Sequence, residues 1–205
     1  EKYGPLEFEA VLHATGRRAN TEGLGLENTD IELRPNGTIV VDEFCQTAVE
    51  NVFAVGDVNG GLQFTYVSLD DFRVVNGYLH GNKEYTTADR KNVPYSTFIS
   101  PALSHVGLHK EEAEAAYPNV AVASLPVANM PRGAVNQDPR GLFRVTVDKD
   151  TNLILGATLF GKNSEEIINL IKMAIDNKIP YTYIRDQIFT HPTMAENLND
   201  VFKLI

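Results

Sequence analysis

The chain has 205 residues, 43% of them hydrophobic and 22% charged, the proportions of a globular protein with one large or two small cores. Eighteen basic and 27 acidic residues leave a net charge of −9, which argues against nucleic acid or an anionic membrane surface as partner, because both need clustered Lys and Arg. The longest weakly polar stretch, Val120 to Met130, contains Pro126 and falls short of the ~18 apolar residues of a membrane span.

A lone cysteine, Cys45, cannot form an intrachain disulfide and fits a reducing compartment, which points to the cytoplasm. Position 1 is Glu and no signal-peptide pattern follows, so the numbering is expected to begin inside a longer reading frame.

Residues 1 to about 90 carry short apolar runs separated by Gly and Asn. Phe8–His13, Ile39–Val41 and Val52–Val55 read as buried strands. The polar run Asp89 to Pro94 reads as a junction, dividing the chain into 1–90 and 91–205. After it, His109–Ala116 reads as a short helix stopped by Pro118, and Val120–Val127, Leu142–Asp148 and Leu153–Phe160 as strands. Asp148, Asp150 and Asn152 predict a hairpin between the last two.

A helix follows, with Asn163 as its cap and Glu166 completing a capping-box-like pair. Its apolar face carries Ile167, Ile168, Leu170, Ile171, Ala174 and Ile175. A second helix is predicted over Tyr181–Gln187 and a third from Pro192, a residue suited to the first helical turn. Strands and helices in this order predict an α+β second domain.

Two motifs carry chemistry. In Val52 to Asp57 (VFAVGD) a strand runs into Gly56 and then a carboxylate. Ligands of open α/β sheets sit beyond the strands' carboxyl ends, where Asp57 could accept hydrogen bonds from a pair of sugar or ribitol hydroxyls. The competing reading is an Asp that merely caps the next turn. In His191 to Glu196 (HPTMAE), a carboxylate one turn on can hold one imidazole nitrogen and leave the other free to move protons. The competing reading is a helix-capping His beside a solvated Glu.

Other residues carry less. Cys45 has no adjacent His or Lys and reads as a packed thiol. His105 and His109 flank Gly107 and lack a third ligand, so they read as surface or loop residues and no metal site is expected. His13 and His80 have no partner in sequence, Arg17 and Arg18 could meet a phosphate or only water, and Tyr181 and Tyr183 read as packing residues.

Taken in order, Ala14 to Asn20 (ATGRRAN), Gly37 to Asp42 (GTIVVD), Gln46 to Ala48 (QTA) and Val52 to Asp57 resemble the end of the NAD domain and the return into the FAD domain of the pyridine nucleotide-disulfide oxidoreductases. Gly141 to Asp148, Ile154 to Ala157, Gly161 to Asn163, Glu165 to Ile168 and His191 to Glu196 resemble that family's dimerisation domain, an antiparallel sheet with helices. The segment Gly60 to Asp71 (GGLQFTYVSLDD) departs from glutathione reductase, dihydrolipoamide dehydrogenase and mercuric reductase. It is similar to the branch of the bacterial reactive-chlorine-resistance flavoprotein.

The resemblance implies FAD and NAD(P)H as cofactors of a full-length homodimer joined through 91–205. The acceptor would be a small molecule or a metal ion such as Cu(II). It implies that Asp57 binds the FAD ribitol beside Gly56, and that Phe64, Thr65 and Tyr66 open a helix aimed at the flavin. It also implies that His191, paired with Glu196, is the acid–base catalyst for dithiol/disulfide exchange across the dimer. The Gly-x-Gly-x-x-Gly turns and the Cys-x4-Cys pair of complete members do not occur here. The 205 residues alone are therefore expected to bind neither cofactor tightly and to be inactive. A non-catalytic dimerisation or interaction module is the rival reading, and it leaves His191 and Glu196 without a purpose.

Overall fold

A computed structural model describes residues 4–205, and the chain divides after Arg90 into two compact units, the second being Lys91–Ile205. In the first unit the only α-helix among the described residues is α1 (Thr65–Leu79). It buries Val67, Asp71 and Val74 at helical spacing. Short 3-10 turns stand at Leu26–Asn28, Gly56–Asn59 and Thr87–Asp89.

The three strands expected in this unit do not form. Ile39 and Phe53 make only isolated bridges, to Leu33 and Gln46. Segment 8–13 has no bridge at all, and Val11 and Leu12 are 86% and 91% exposed. An apolar run becomes a strand only when a ladder partner and a covering layer receive it. Among the described residues nothing provides either for 8–13.

The second unit is built on a five-stranded antiparallel sheet of β1 (Tyr95–Thr97), β2 (Leu103–Gly107), β3 (Val120–Pro126), β4 (Leu142–Asp148) and β5 (Leu153–Phe160). The spatial order is β1-β2-β5-β4-β3. The β4–β5 hairpin pairs Leu142 with Phe160 and Asp148 with Leu153. Its turn places Asn152 at φ 60°, a conformation Asn tolerates. Close approach is needed where β2 leaves the sheet: a Cβ on Gly156 would sit 2.1 Å from the Leu108 carbonyl oxygen.

Helices α2 (Lys110–Ala116), α3 (Pro131–Val135), α4 (Ser164–Asp176), α5 (Tyr181–Asp186) and α6 (Asn197–Lys203) complete this unit. Helix α4 lies over β2 and β5 and buries Ile167, Ile168, Ile171 and Ala174. Leu170, expected on that face, lies at its border and is 41% exposed. The capping expectation also fails. Asn163 stands at φ 63° and its side chain makes no cap, because the left-handed backbone turns it away from the free N–H groups. Ser164 instead ties the helix start to the sheet, donating to the Ala102 carbonyl at 2.8 Å.

Helices α5 and α6 pack together, and α6 meets β3 and β4. The core joins Phe143, Val145 and Leu159 from the sheet to Ile168 and Ile171 from α4 and Leu198 and Phe202 from α6. Tyr181 packs into it, whereas Tyr183 is 58% exposed, since alternate positions on a short helix face opposite ways.

Candidate functional site

In the second unit, His191 and Glu196 meet. The imidazole Nδ1 lies 2.8 Å from Glu196 Oε2, and the other carboxylate oxygen accepts the Thr193 N–H at 3.0 Å. Glu196 N–H returns a bond to Thr193 Oγ1 at 3.2 Å. Thr193 and Glu196 thus form a reciprocal capping box, the Thr-x-x-Glu pattern visible in sequence.

This box overturns the expectation of a helix from Pro192. The chain makes a turn first, across a cis His191–Pro192 bond, and α6 opens only at Asn197. Local side-chain bonds from Thr193, including one to the Thr190 carbonyl at 2.8 Å, compete successfully with a helical ladder there. Beneath the turn, Asn197 is fully buried and donates to the Thr193 and Met194 carbonyls.

The charge distribution follows from this geometry. Glu196 is largely covered, with 16% of its side chain exposed, while His191 is 70% exposed. A carboxylate facing Nδ1 selects the tautomer with the proton on that nitrogen. The Nε2 lone pair is then presented outward, able to accept a proton from a group that approaches from solvent.

In the first unit, Val55 enters a 3-10 turn over Gly56–Asn59 that hands the chain towards α1. Gly56 stands at φ 75°, and a Cβ there would lie 2.8 Å from Ser68 Oγ, so the turn needs glycine. Asp57 is exposed. Phe64 precedes α1 and stacks on Tyr66 with ring centroids 5.0 Å apart, and burial pushes the Tyr66 hydroxyl's pKa up. No side chain caps the N-terminus beginning at Thr65. An open cleft of about 720 Å³ is lined by Arg17, Arg18, Asn36, Gly61 and Phe64 among others.

The sequence reading passed over the residues that hold this turn. Asp71, 1% exposed, accepts from Gly56 N–H at 2.8 Å and from Asn59 Nδ2 at 3.0 Å. Arg90 forks onto Asp71 at 2.6 Å and Asp70 at 2.7 Å. Burial opposes the charge of Asp70, but bonds from Arg90, Tyr85 and Arg73 outweigh it and hold its carboxyl below the usual range. An acid at position 71, in register with Val67 and Val74 on the buried face, was the readable signal. Cys45 is fully buried, and burial, reinforced by Asp71, pushes its thiol up to about 12.

His105 differs from expectation: it lies on β2 and is 5% exposed, not on the surface. Thr158 Oγ1 lies 2.8 Å from Nδ1 and the Gly107 carbonyl 2.9 Å from Nε2, and the ring stacks on exposed His109 at 3.7 Å. Those partners satisfy a neutral imidazole on both nitrogens. Burial lowers the pKa of His105 below 6.5 and His109 adds to this, against the pull of the Gly107 carbonyl and Glu112. The unfolded chain then binds the extra proton first, so stability falls as pH drops below about 6.5. Urea melts between pH 7 and pH 5 should show that slope, and His105→Gln should flatten it. An unchanged slope in the variant would assign the effect elsewhere.

Among the described residues no cluster of three or more His, Cys, Asp or Glu is placed to hold a metal ion, and no helix is long and apolar enough to cross a membrane.

Comparison with known proteins gives a consistent picture. The chain is 47% identical over 204 residues to the probable pyridine nucleotide-disulfide oxidoreductase RclA of Escherichia coli K12, covering 100% of this chain and 46% of that protein. It is 34% identical over 191 residues to glutathione reductase of Burkholderia cepacia, covering 93% of this chain and 42% of that one. The solved Cu(II) complex of HOCl-induced flavoprotein disulfide reductase RclA from Escherichia coli superposes with a TM-score of 0.91 at 48% identity, covering 94% of this chain and 44% of that chain.

The chain spans less than half the length of these relatives. The pyridine nucleotide-disulphide oxidoreductase model matches residues 1–71, and the family's dimerisation-domain model matches 93–202. With the second match alone covering over half of the sequence, the chain belongs to the pyridine nucleotide-disulphide oxidoreductases, a family of FAD-dependent enzymes.

Proposed function

We propose that the chain is the C-terminal part of an FAD-dependent NAD(P)H oxidoreductase acting on a disulfide or a related acceptor. Residues 1–90 close its NAD- and FAD-binding domains, and 91–205 join two copies into a homodimer. The observation that carries the reading is the division of labour at Glu196: one oxygen is fixed by Thr193 N–H and the other orients His191. A pure interaction module gives no account of an imidazole held this way with its second nitrogen outward.

In this reading His191 acts across the dimer, on the disulfide and flavin bound by the other copy. Its Nε2 accepts a proton from an attacking thiol, which makes the thiolate nucleophile. It returns that proton to the leaving sulfur, which departs more readily as a thiol. Bound FAD supplies the electrons, taken from NAD(P)H. The residues present fit the cofactor: Asp57 is exposed, directly after a glycine held at φ 75°. Asp57 would hold the ribitol hydroxyls beside Gly56, and the helix start at Phe64, Thr65 and Tyr66 would favour negative charge on the bound flavin.

The terminal acceptor is a small molecule or a metal ion, and the Cu(II) complex of the Escherichia coli relative supports the latter. The unpaired thiol fits a cytoplasmic enzyme. The 205 residues alone present the ribitol contact and the acid–base pair without the redox cysteines, and are inactive by themselves.

Anaerobic titration of the whole flavoprotein with NAD(P)H tests the reading. A yellow protein should develop a long-wavelength thiolate–flavin absorbance at two electrons. A colourless protein, or reduction with no such band, would overturn it.

A further inference from the structure

We infer that Asp71 is a positioning residue for flavin binding: its buried carboxylate, clamped by Arg90, fixes the turn that presents Asp57. The inference rests on Asp57 being the ribitol contact. A carboxylate with only 2% of its side chain exposed is costly in the interior unless its lone pairs are used. An apolar residue at 71 would complete the Val67 and Val74 stripe of α1 without that cost.

The carboxylate instead directs its bonds to one short segment. Oδ2 takes Gly56 N–H and Asn59 Nδ2, while Oδ1 takes Arg90 Nη2. Asn59 then extends the clamp, donating to the Ala54 carbonyl at 3.3 Å and accepting Gly61 N–H at 3.0 Å. Positions 54, 56, 59 and 61 are thereby pinned on both sides of Asp57, and Gly56 is pressed against Ser68 of the same helix.

Asp57 remains exposed in the middle of this fixed frame. The frame also ties the turn to the helix that opens at Thr65, so the ribitol acceptor and the helix start move as one body. Such preorganisation raises affinity by removing the ordering cost of binding.

The test uses the whole flavoprotein stripped of FAD and reconstituted. Asp71→Asn places an amide N–H against Arg90 or against Gly56 N–H, and Asn59→Ser removes the extension of the clamp without touching a charge. Dissociation constants come from quenching of flavin fluorescence, and flavin geometry from visible circular dichroism at saturating FAD.

Asp71→Asn should weaken FAD about ten- to a hundredfold, the equivalent of one lost bond to a charged group. Asn59→Ser should act in the same direction, and both should alter the flavin dichroism at saturation. Weaker affinity with wild-type dichroism marks simple destabilisation and overturns the inference, as does wild-type affinity in both variants. If Asp71→Asn does not fold, Asn59→Ser decides by the same two readouts. Asp57→Asn separates the underlying reading: impaired binding there with normal Asp71 and Asn59 variants defeats only the positioning role. Normal binding in Asp57→Asn defeats the ribitol reading itself.

Discussion

Replacing His191 by alanine is expected to lower disulfide turnover of the whole flavoprotein by about 10²–10⁴-fold, the usual worth of a positioned general acid–base group. Flavin reduction by NAD(P)H should continue, because the imidazole serves the exchange step. The side chain is 70% exposed, so its removal leaves no cavity and should leave stability nearly unchanged. Glu196→Gln sharpens the argument. The glutamine oxygen can still accept Thr193 N–H, which turns its amide N–H₂ towards His191 Nδ1. That donor favours a proton on Nε2, the nitrogen that has to accept one, so turnover should fall with the fold intact. Stopped-flow reduction alongside steady-state turnover checks both variants. Normal turnover in His191→Ala would remove the acid–base assignment.

Phe143→Ala is expected to destabilise the second unit by about 3–5 kcal/mol, the range for a large aromatic truncated in a core. Phe143 has no exposed surface and sits on β4 in the middle of the cluster joining sheet, α4 and α6. The surrounding strands are fixed by ladders on both sides of β4, so the space left behind cannot close by a local shift. Urea unfolding followed by far-ultraviolet circular dichroism measures the loss. A change under about 1 kcal/mol would mean that this core repacks far more freely than its ladders imply.

Much of the second unit was legible because elements such as β4, β5 and α4 carry their own signal, whereas β1, β2 and α3 went unread. Leu142–Asp148 and Leu153–Phe160 are bounded by turn residues and pair with each other as a hairpin, and helix α4 announces itself by an isoleucine stripe. The first unit was not, because apolar runs such as 8–13 report a need for burial without naming the surface that meets it.

The same contrast holds at the candidate site. The five-residue spacing of His191 and Glu196 brought them together, but two signals competed for the backbone between them. Pro192 favoured a helix start and Thr193 with Glu196 favoured a box, and the box won by satisfying two backbone N–H groups at once. Asp71 went unremarked although its register with Val67 and Val74 hints at burial, because the sequence does not name what it would bond there. Only the fold reveals that Arg90, nineteen residues on, is its partner.

The chain's single sulfhydryl gives the first unit a built-in clock. Cys45 is fully buried beside Asp71, and burial pushes its thiol's pKa up to about 12. A sulfur-directed reagent cannot react until that enclosure parts, because only the thiolate attacks. Labelling of Cys45 therefore counts openings of the region around the Gly56–Asn59 turn. Anything that stiffens this region lengthens the interval between reactions, without a probe being added to the molecule.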